Sequence, residues 1–229
     1  MSRFDYLHKI YSNLRLMIHM LYLLMRILFT KLARPFSILK IQKIQNNKEQ
    51  NPQMKLHLGS GPVHLSGWIN IDSERGADLI LDIRKKIPFS DNSVDYIYSE
   101  HFIEHLTYKE TNSILRDCCR CLKPGGIIRI ATPDLDDAIQ KYNKDWRNQD
   151  WLSWPEYQFI KTRGMMMNVS FYYWGHKFLF NEEDLTNQLT EAGLGEIKRC
   201  EWGKSDYSEL NKLETRIDSK LIIEGRKIN

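Results

Sequence analysis

The stretch LHLGSGPVHLSGWINID, residues 56–72, places two short apolar runs on either side of a GSGP turn. The first run, Met54 to Leu58, has the length of a buried strand. Gly59 and Gly61 then let the backbone turn sharply and approach a ligand with no Cβ in the way. The second run, Trp68 to Ile71, reads as another strand, and Asp72 at its carboxyl end is placed to accept hydrogen bonds from two vicinal ribose hydroxyls. A glycine pair alone marks any tight turn. Joined to an acid at the end of the next strand, it describes a nucleoside site.

The pattern repeats downstream. In LILDIRKKIPFSDNSVDYIYSEHFIEHL, residues 79–106, the run Leu79 to Leu81 ends on Asp82, and Val94 to Tyr98 ends on Ser99, Glu100 and His101. LKPGGIIRIATPD, residues 122–134, breaks at Pro-Gly-Gly and resumes as a strand over Ile127 to Ala131. Strands spaced by helical or loop segments, with polar residues gathered at their carboxyl ends, describe an open, mostly parallel α/β sheet with ligand in the crevice along that edge.

These motifs resemble the class I S-adenosylmethionine-dependent methyltransferases, in particular small members found with surface polysaccharide synthesis. The resemblance covers residues 54–142 through its motifs and 176–226 more loosely. It implies a Rossmann-like seven-stranded, mostly parallel sheet with helices on both faces. It also implies that Gly59, Ser60 and Gly61 lie beside the methionine part of S-adenosylmethionine, that Asp72 takes the ribose, and that Asp82 with the Ile83 backbone faces the adenine. Ser99 and Glu100, with Tyr98 adjacent, would then line the sulfonium end. The chain departs from the family at His57, where an acidic residue is common.

Other nucleotide chemistries are excluded. Pro62, Val63 and His64 follow Gly61, so the third glycine of a dinucleotide fingerprint is missing, and no GxxxxGK followed by Ser or Thr occurs. The 229 residues, 42% apolar, suffice for one sizeable domain and an appendage. Of four cysteines, Cys118, Cys119 and Cys121 crowd one helix and Cys200 stands alone, which is no disulfide framework and fits a reducing, cytoplasmic setting. They read as packing residues, since no zinc-ligand spacing accompanies them.

The net charge of +4 conceals a division. Residues 1–50 carry nine Lys/Arg against two acids, a net +7, whereas the remainder carries 24 basic and 27 acidic residues, a net −3. A nucleic-acid-binding core is thereby disfavoured, and a basic arm meeting an anionic surface is favoured. Within the arm, Phe4, Leu7, Tyr11, Leu14, Ile18, Leu21, Met25 and Leu28 alternate spacings of three and four, which predicts a helix over about residues 4–30 in an appendage of residues 1–40. Three partners for it stay open: the anionic inner face of the membrane through residues 1–34, a second copy in a homodimer, or its own domain. Residues 41–53 read as a linker before a domain of residues 54–229.

Thr107 and Glu110 form a capping box for a helix of 108–121, Pro133 and Asp134 open another, and Asn181 caps a helix of 182–192 ended by Gly193. Segments near 195–202 and 219–225 complete the sheet as an antiparallel pair. Between them, residues 143–180 form an aromatic-rich insertion. Its aromatics either stack on an acceptor or pack the insertion onto the sheet.

Methyl transfer to an alcohol needs alignment and a proton acceptor. Candidates for the latter are His105, then His101, with Glu104 orienting an imidazole, and His176 reaching the same crevice. No third metal ligand is evident beside the two histidines, so no metal is assigned. The expected function is O-methylation of a sugar in a glycan or glycolipid. A small-metabolite or lipid methyltransferase, or a non-catalytic adaptor that keeps the pocket, stands as the alternative.

Overall fold

The computed structural model describes residues 3–47 and 53–229. A seven-stranded sheet forms the centre, built of β1 (Lys55–Leu58), β2 (Ile69–Asp72), β3 (Leu79–Ile80), β4 (Val94–Glu100), β5 (Leu122–Thr132), β6 (Leu194–Arg199) and β7 (Leu221–Lys227). Their spatial order is β3-β2-β1-β4-β5-β7-β6. The first five are mutually parallel, while β7 runs antiparallel to both β5 and β6. The order in which strands are added reverses between β1 and β4, the switch point at which open α/β sheets bind ligands.

One face of the sheet is aliphatic. Leu56, Leu58, Ile71, Ile97, Ile128, Ile130 and Ile223 pack there against Ile114, Leu115 and Cys118 of α2 (Tyr108–Cys121) and Leu185 and Leu189 of α5 (Glu182–Glu191). The Thr107–Glu110 capping box that opens α2 is present with both reciprocal bonds, and Asn181 caps α5 through the Asp184 amide. Between β5 and α5 lie α3 (Leu135–Asn143) and α4 (Arg163–Asn168). Burial raises the thiols of Cys118, Cys119 and Cys121, which suits packing residues rather than nucleophiles.

The opposite face differs, because a polar row crosses it. Asn70, His57, Tyr98, Arg129 and Glu224 stand abreast on five neighbouring strands, each the registered partner of the next. Here the cover is irregular chain: Leu65 and Trp68 on one side, and Cys200, Tyr207, Leu210 and Leu213 on the other. The helical layer expected on both faces is thus unequal. A row containing a guanidinium needs hydrogen-bonding partners that a smooth apolar helix would not supply. Arg129 is wholly buried; its Nε and Nη1 each lie 2.6 Å from a carboxylate, Glu214 and Glu224, and Nη1 also donates to the Lys204 carbonyl at 3.0 Å.

The amino-terminal helix α1 spans Arg3–Asn46, longer than the sequence pattern predicts, and takes Pro35 in its stride. It therefore absorbs the first part of the expected 41–53 linker, of which residues 48–52 lie outside the described residues. The physical reason is docking. Ile41 is buried against the core, and the Ser37 hydroxyl accepts from the Ile80 amide at 3.0 Å while donating to its carbonyl at 3.2 Å, closing the open edge at β3. Arg26 donates to Ser73 at 2.5 Å, and Lys40 to the Asp78 carbonyl at 2.9 Å. The docked stripe runs through Thr30, Ser37 and Ile41, not through the heptad seam, whose Ile18, Leu21, Met25 and Leu28 stay exposed. No described helix is long and apolar enough to cross a membrane.

Arg129→Met leaves Glu214 and Glu224 buried without their cation, so it is expected to destabilise the fold by about 3–5 kcal/mol, read as a lower midpoint of urea unfolding at an unchanged slope.

Candidate active site

The glycine turn and the end of β2 form one unit. The amides of Gly59 and Ser60 donate to the Ile71 carbonyl at 2.9 and 3.2 Å. The Gly61 amide donates to Asp72 Oδ2 at 2.9 Å, and Asp72 Oδ1 accepts from the Glu74 amide at 2.9 Å. Gly59 and Gly61 have φ of +67° and +51°, a region in which a side chain is strained. A Cβ at Gly59 would lie 2.5 Å from the Phe102 ring, whereas the space beside Gly61 is open. Nothing in the sequence pattern pointed to Phe102. Asp82, at the end of the next chain segment, is held by Arg84 through paired bonds of 2.8 and 2.9 Å; these bonds keep its carboxyl below the usual range despite burial. Ile83 beside it is buried. An open glycine turn with a half-buried acid on the adjoining strand end fits the ribose and amino-acid portions of S-adenosylmethionine.

The groups around the ends of β1 and β4 are largely engaged by the protein itself. His57 is 2% exposed, stacks near Tyr98 at 5.3 Å and meets Asn70 Oδ1 at 3.0 Å. Burial lowers its pKa, so it forms part of the polar row and not a ligand contact. Tyr98 is fully buried and Ser99 nearly so, with no hydrogen-bond partner for Ser99 Oγ among the described residues. Glu100 is committed elsewhere. Its carboxylate accepts from the Thr215 and Arg216 amides at 3.0 Å, from Thr215 Oγ1 at 2.7 Å and from Ser219 Oγ at 2.8 Å. It anchors residues 215–219, a segment without any motif that marks a site.

Those residues form one wall of a cavity of about 1040 Å³ at the carboxyl ends of β4 and β5. Thr215, Arg216 and Asp218 line it on one side, Asp134, Asp137 and Lys141 on another, and Trp151, Trp154, Tyr157 and Trp174 from the insertion on a third. The insertion's aromatics pack on one another rather than onto the sheet, and several line the cavity. Trp151, Tyr157 and Trp174 pack edge to face at 4.9–5.7 Å, with Trp174 Nε1 donating to Tyr157 Oη at 2.7 Å, and the same cluster faces the cavity.

His101, His105 and His176 converge on this cavity. The first two are not successive turns of one α-helix: His101 closes β4 in a left-handed conformation, φ +49°, and His105 ends a short 3-10 turn, Ile103–His105. Glu104 lies between them, wholly buried, with Oε2 accepting from Thr132 Oγ1 at 3.0 Å and Oε1 3.2 Å from His101 Nδ1. Burial opposes its ionisation, but the His101 contact and the nearby His105 prevail and hold its pKa below the ordinary value. The Glu104 carbonyl also accepts from the Lys177 and Phe178 amides at 2.7 and 3.2 Å, which sets His176 beside His105, ring to ring at 5.1 Å. Burial lowers the His176 pKa.

Residues 66–130 match the family model described as a methyltransferase domain. No curated protein matches the sequence. Among solved structures, the chain is similar to a SAM-dependent methyltransferase of Thermotoga maritima, described as a possible histamine N-methyltransferase, with 18% identity, a TM-score of 0.48, and 86% of this chain and 92% of that one covered. It is also similar to a SAM-dependent methyltransferase of Archaeoglobus fulgidus, with 13% identity, a TM-score of 0.47, and coverage of 82% and 94%. A third is phosphoethanolamine N-methyltransferase 2 of Haemonchus contortus in complex with S-adenosyl-L-methionine, with 19% identity, a TM-score of 0.41, and coverage of 64% of this chain and 34% of that one.

Asp72→Ala is expected to weaken S-adenosylhomocysteine binding at least tenfold in calorimetric titration, since a bidentate contact to two hydroxyls is worth about 1.5–3 kcal/mol.

Proposed function

We propose that the chain is an S-adenosylmethionine-dependent methyltransferase that transfers the methyl group to a hydroxyl oxygen of a sugar, in a glycan or glycolipid assembled at the cytoplasmic face of the membrane; the match of residues 66–130 to a methyltransferase domain supports the activity. The observation that carries this reading is the cavity at the ends of β4 and β5, which combines a wall of Trp and Tyr rings with acids, amides and a lysine. Sugars are bound by that combination: rings cover the apolar C–H face, and polar groups take the hydroxyls.

When bound, S-adenosylmethionine supplies an electrophilic methyl carbon; a new O–CH₃ bond forms as the S–CH₃ bond breaks, and S-adenosylhomocysteine leaves. The chain's own residues must align the acceptor, exclude water and take its proton. The contact between Glu104 Oε1 and His101 Nδ1 supports His101, rather than His105, as the group that takes it. That contact favours the tautomer whose Nε2 is the acceptor, and this Nε2 lies 3.6 Å from Asp218 Oδ1 on the cavity wall, where an imidazolium would be stabilised.

Exposure of Met17, Leu21, Leu24, Met25 and Leu28 on α1, in a region of net positive charge, supports a membrane-surface role for residues 1–34.

Labelled-methyl transfer to a panel of sugar-alcohol, glycolipid and amine acceptors is expected to favour a hydroxylated sugar, and His101→Ala to lower that rate by about 10²–10⁴-fold with S-adenosylhomocysteine affinity unchanged. Transfer to amines alone would overturn the oxygen acceptor. In co-sedimentation, the full chain is expected to pellet with anionic but not neutral vesicles, and removal of residues 1–45 to abolish this. A soluble dimer that ignores both vesicle types would overturn the membrane role.

A further inference from the structure

The side chains of Glu104, His105 and His176 bring one ligating atom each to within 4.8 Å of one another. We propose that they bind a divalent first-row transition-metal ion on the floor of the acceptor cavity.

Three features set this group apart from a chance meeting of polar residues. The first is an uncommitted acceptor: Glu104 is 0% exposed, its Oε2 is bonded to Thr132, and its Oε1 makes no aligned hydrogen bond, with only His101 Nδ1 nearby at 3.2 Å. A carboxylate oxygen has two lone pairs, so it can meet an imidazole on one side and a cation on the other. An ionised carboxylate with an unfilled acceptor site in the interior is costly. A cation would fill it.

The second is the way His176 is held. Its Nδ1 lies 2.7 Å from the Ser170 carbonyl oxygen, so Nδ1 carries the proton and Nε2 presents its lone pair. This is the outer-shell arrangement that fixes a metal-binding imidazole in position and raises its basicity. The third is convergence by distant parts of the chain. Glu104 and His105 come from the turn after β4 and His176 from the end of the insertion, joined by the Lys177 and Phe178 bonds to the Glu104 carbonyl.

The donor set decides the class of ion. Two imidazoles and one carboxylate suit Zn²⁺, Co²⁺, Fe²⁺ or Mn²⁺, whereas Mg²⁺ and Ca²⁺ prefer oxygen alone. Three protein ligands beside a cavity leave a coordination position open, the pattern of catalytic rather than structural metal sites. The ion's role rests on the reading of the acceptor as an alcohol, but the site itself does not. A hydroxyl on the open position would be acidified by the ion. Its proton would pass to His101 Nε2 as the oxygen bonds to the methyl carbon.

The test is metal binding, measured apart from methyl transfer. Chelator-treated full-length protein would be titrated with Co²⁺ and with Zn²⁺, following Co²⁺ absorption and the quenching of Trp174, whose ring lies 5.6 Å from that of His176. Wild type is expected to bind one ion per chain at micromolar concentration. His176→Ala or Glu104→Gln is expected to weaken binding at least tenfold. Glutamine keeps the acceptor for Thr132, and S-adenosylhomocysteine affinity in each variant serves as the folding control. Absence of binding by folded wild type, or equal binding by both folded variants, would overturn the site. Loss of S-adenosylhomocysteine binding by wild type would instead strike at the methyltransferase reading and leave the metal titration to stand by itself.

Discussion

A guanidinium in the middle of a sheet constrains most of what surrounds it. Arg129 has no exposed surface, so each of its donors must find an acceptor inside the protein. Glu224 meets it from the neighbouring strand and Glu214 from the long connection between β6 and β7, while backbone carbonyls at Glu201 and Lys204 take further donors. The connection is thereby drawn across the sheet, where Leu210 and Leu213 join the apolar cluster around Trp68 and Tyr98. One residue further along, Glu100 takes over and binds residues 215–219. The cavity wall at Thr215 to Asp218 thus depends on two successive electrostatic anchors, one beneath the sheet face and one at its edge.

Much of this architecture was legible in the sequence because it is local. Four or five apolar residues ending at glycine or acid identify β1, β2 and β4, and the capping box at Thr107–Glu110 and the N-cap at Asn181 identify the helix starts, since the side chain and amide involved lie three positions apart. Asp72 is also where its position at a strand end places it. The features that escaped are long-range. Glu100 looks like a ligand group until Thr215 is seen to be 115 positions away in sequence and hydrogen-bonded to it. His176 cannot be assigned to Glu104 from spacing, because the insertion that separates them has no periodicity.

The amino-terminal helix shows a different failing of pattern. Its heptad seam is the strongest periodic signal in the first 50 residues, yet the face that docks is marked by Thr30 and Ser37, whose hydroxyls satisfy backbone groups at Ser73 and Ile80. Edge strands are closed by hydrogen bonds as readily as by apolar contact, and hydroxyl groups carry little weight in a hydrophobic pattern. The seam that periodicity finds is left over for another partner. Docking also explains how the helix outruns Pro35 and the polar 41–46 segment: tertiary contacts at Ile41 and Gln45 outweigh local propensity.

The insertion leaves and rejoins the sheet at nearly one point. Its entrance at Leu135 donates to the Phe180 carbonyl at 2.9 Å, Asp134 bridges to Phe180, and its exit at Lys177 is bound to the Glu104 carbonyl. Between those ties the apolar side chains gather into a cluster of their own that contains no strand residue. Such a segment behaves as an exchangeable cassette: its length and composition can drift without disturbing strand register, provided that the sockets at Asp134 and Glu104 are kept. About forty residues of this cavity wall can therefore be rewritten in evolution while the glycine turn and Asp72 stay as they are.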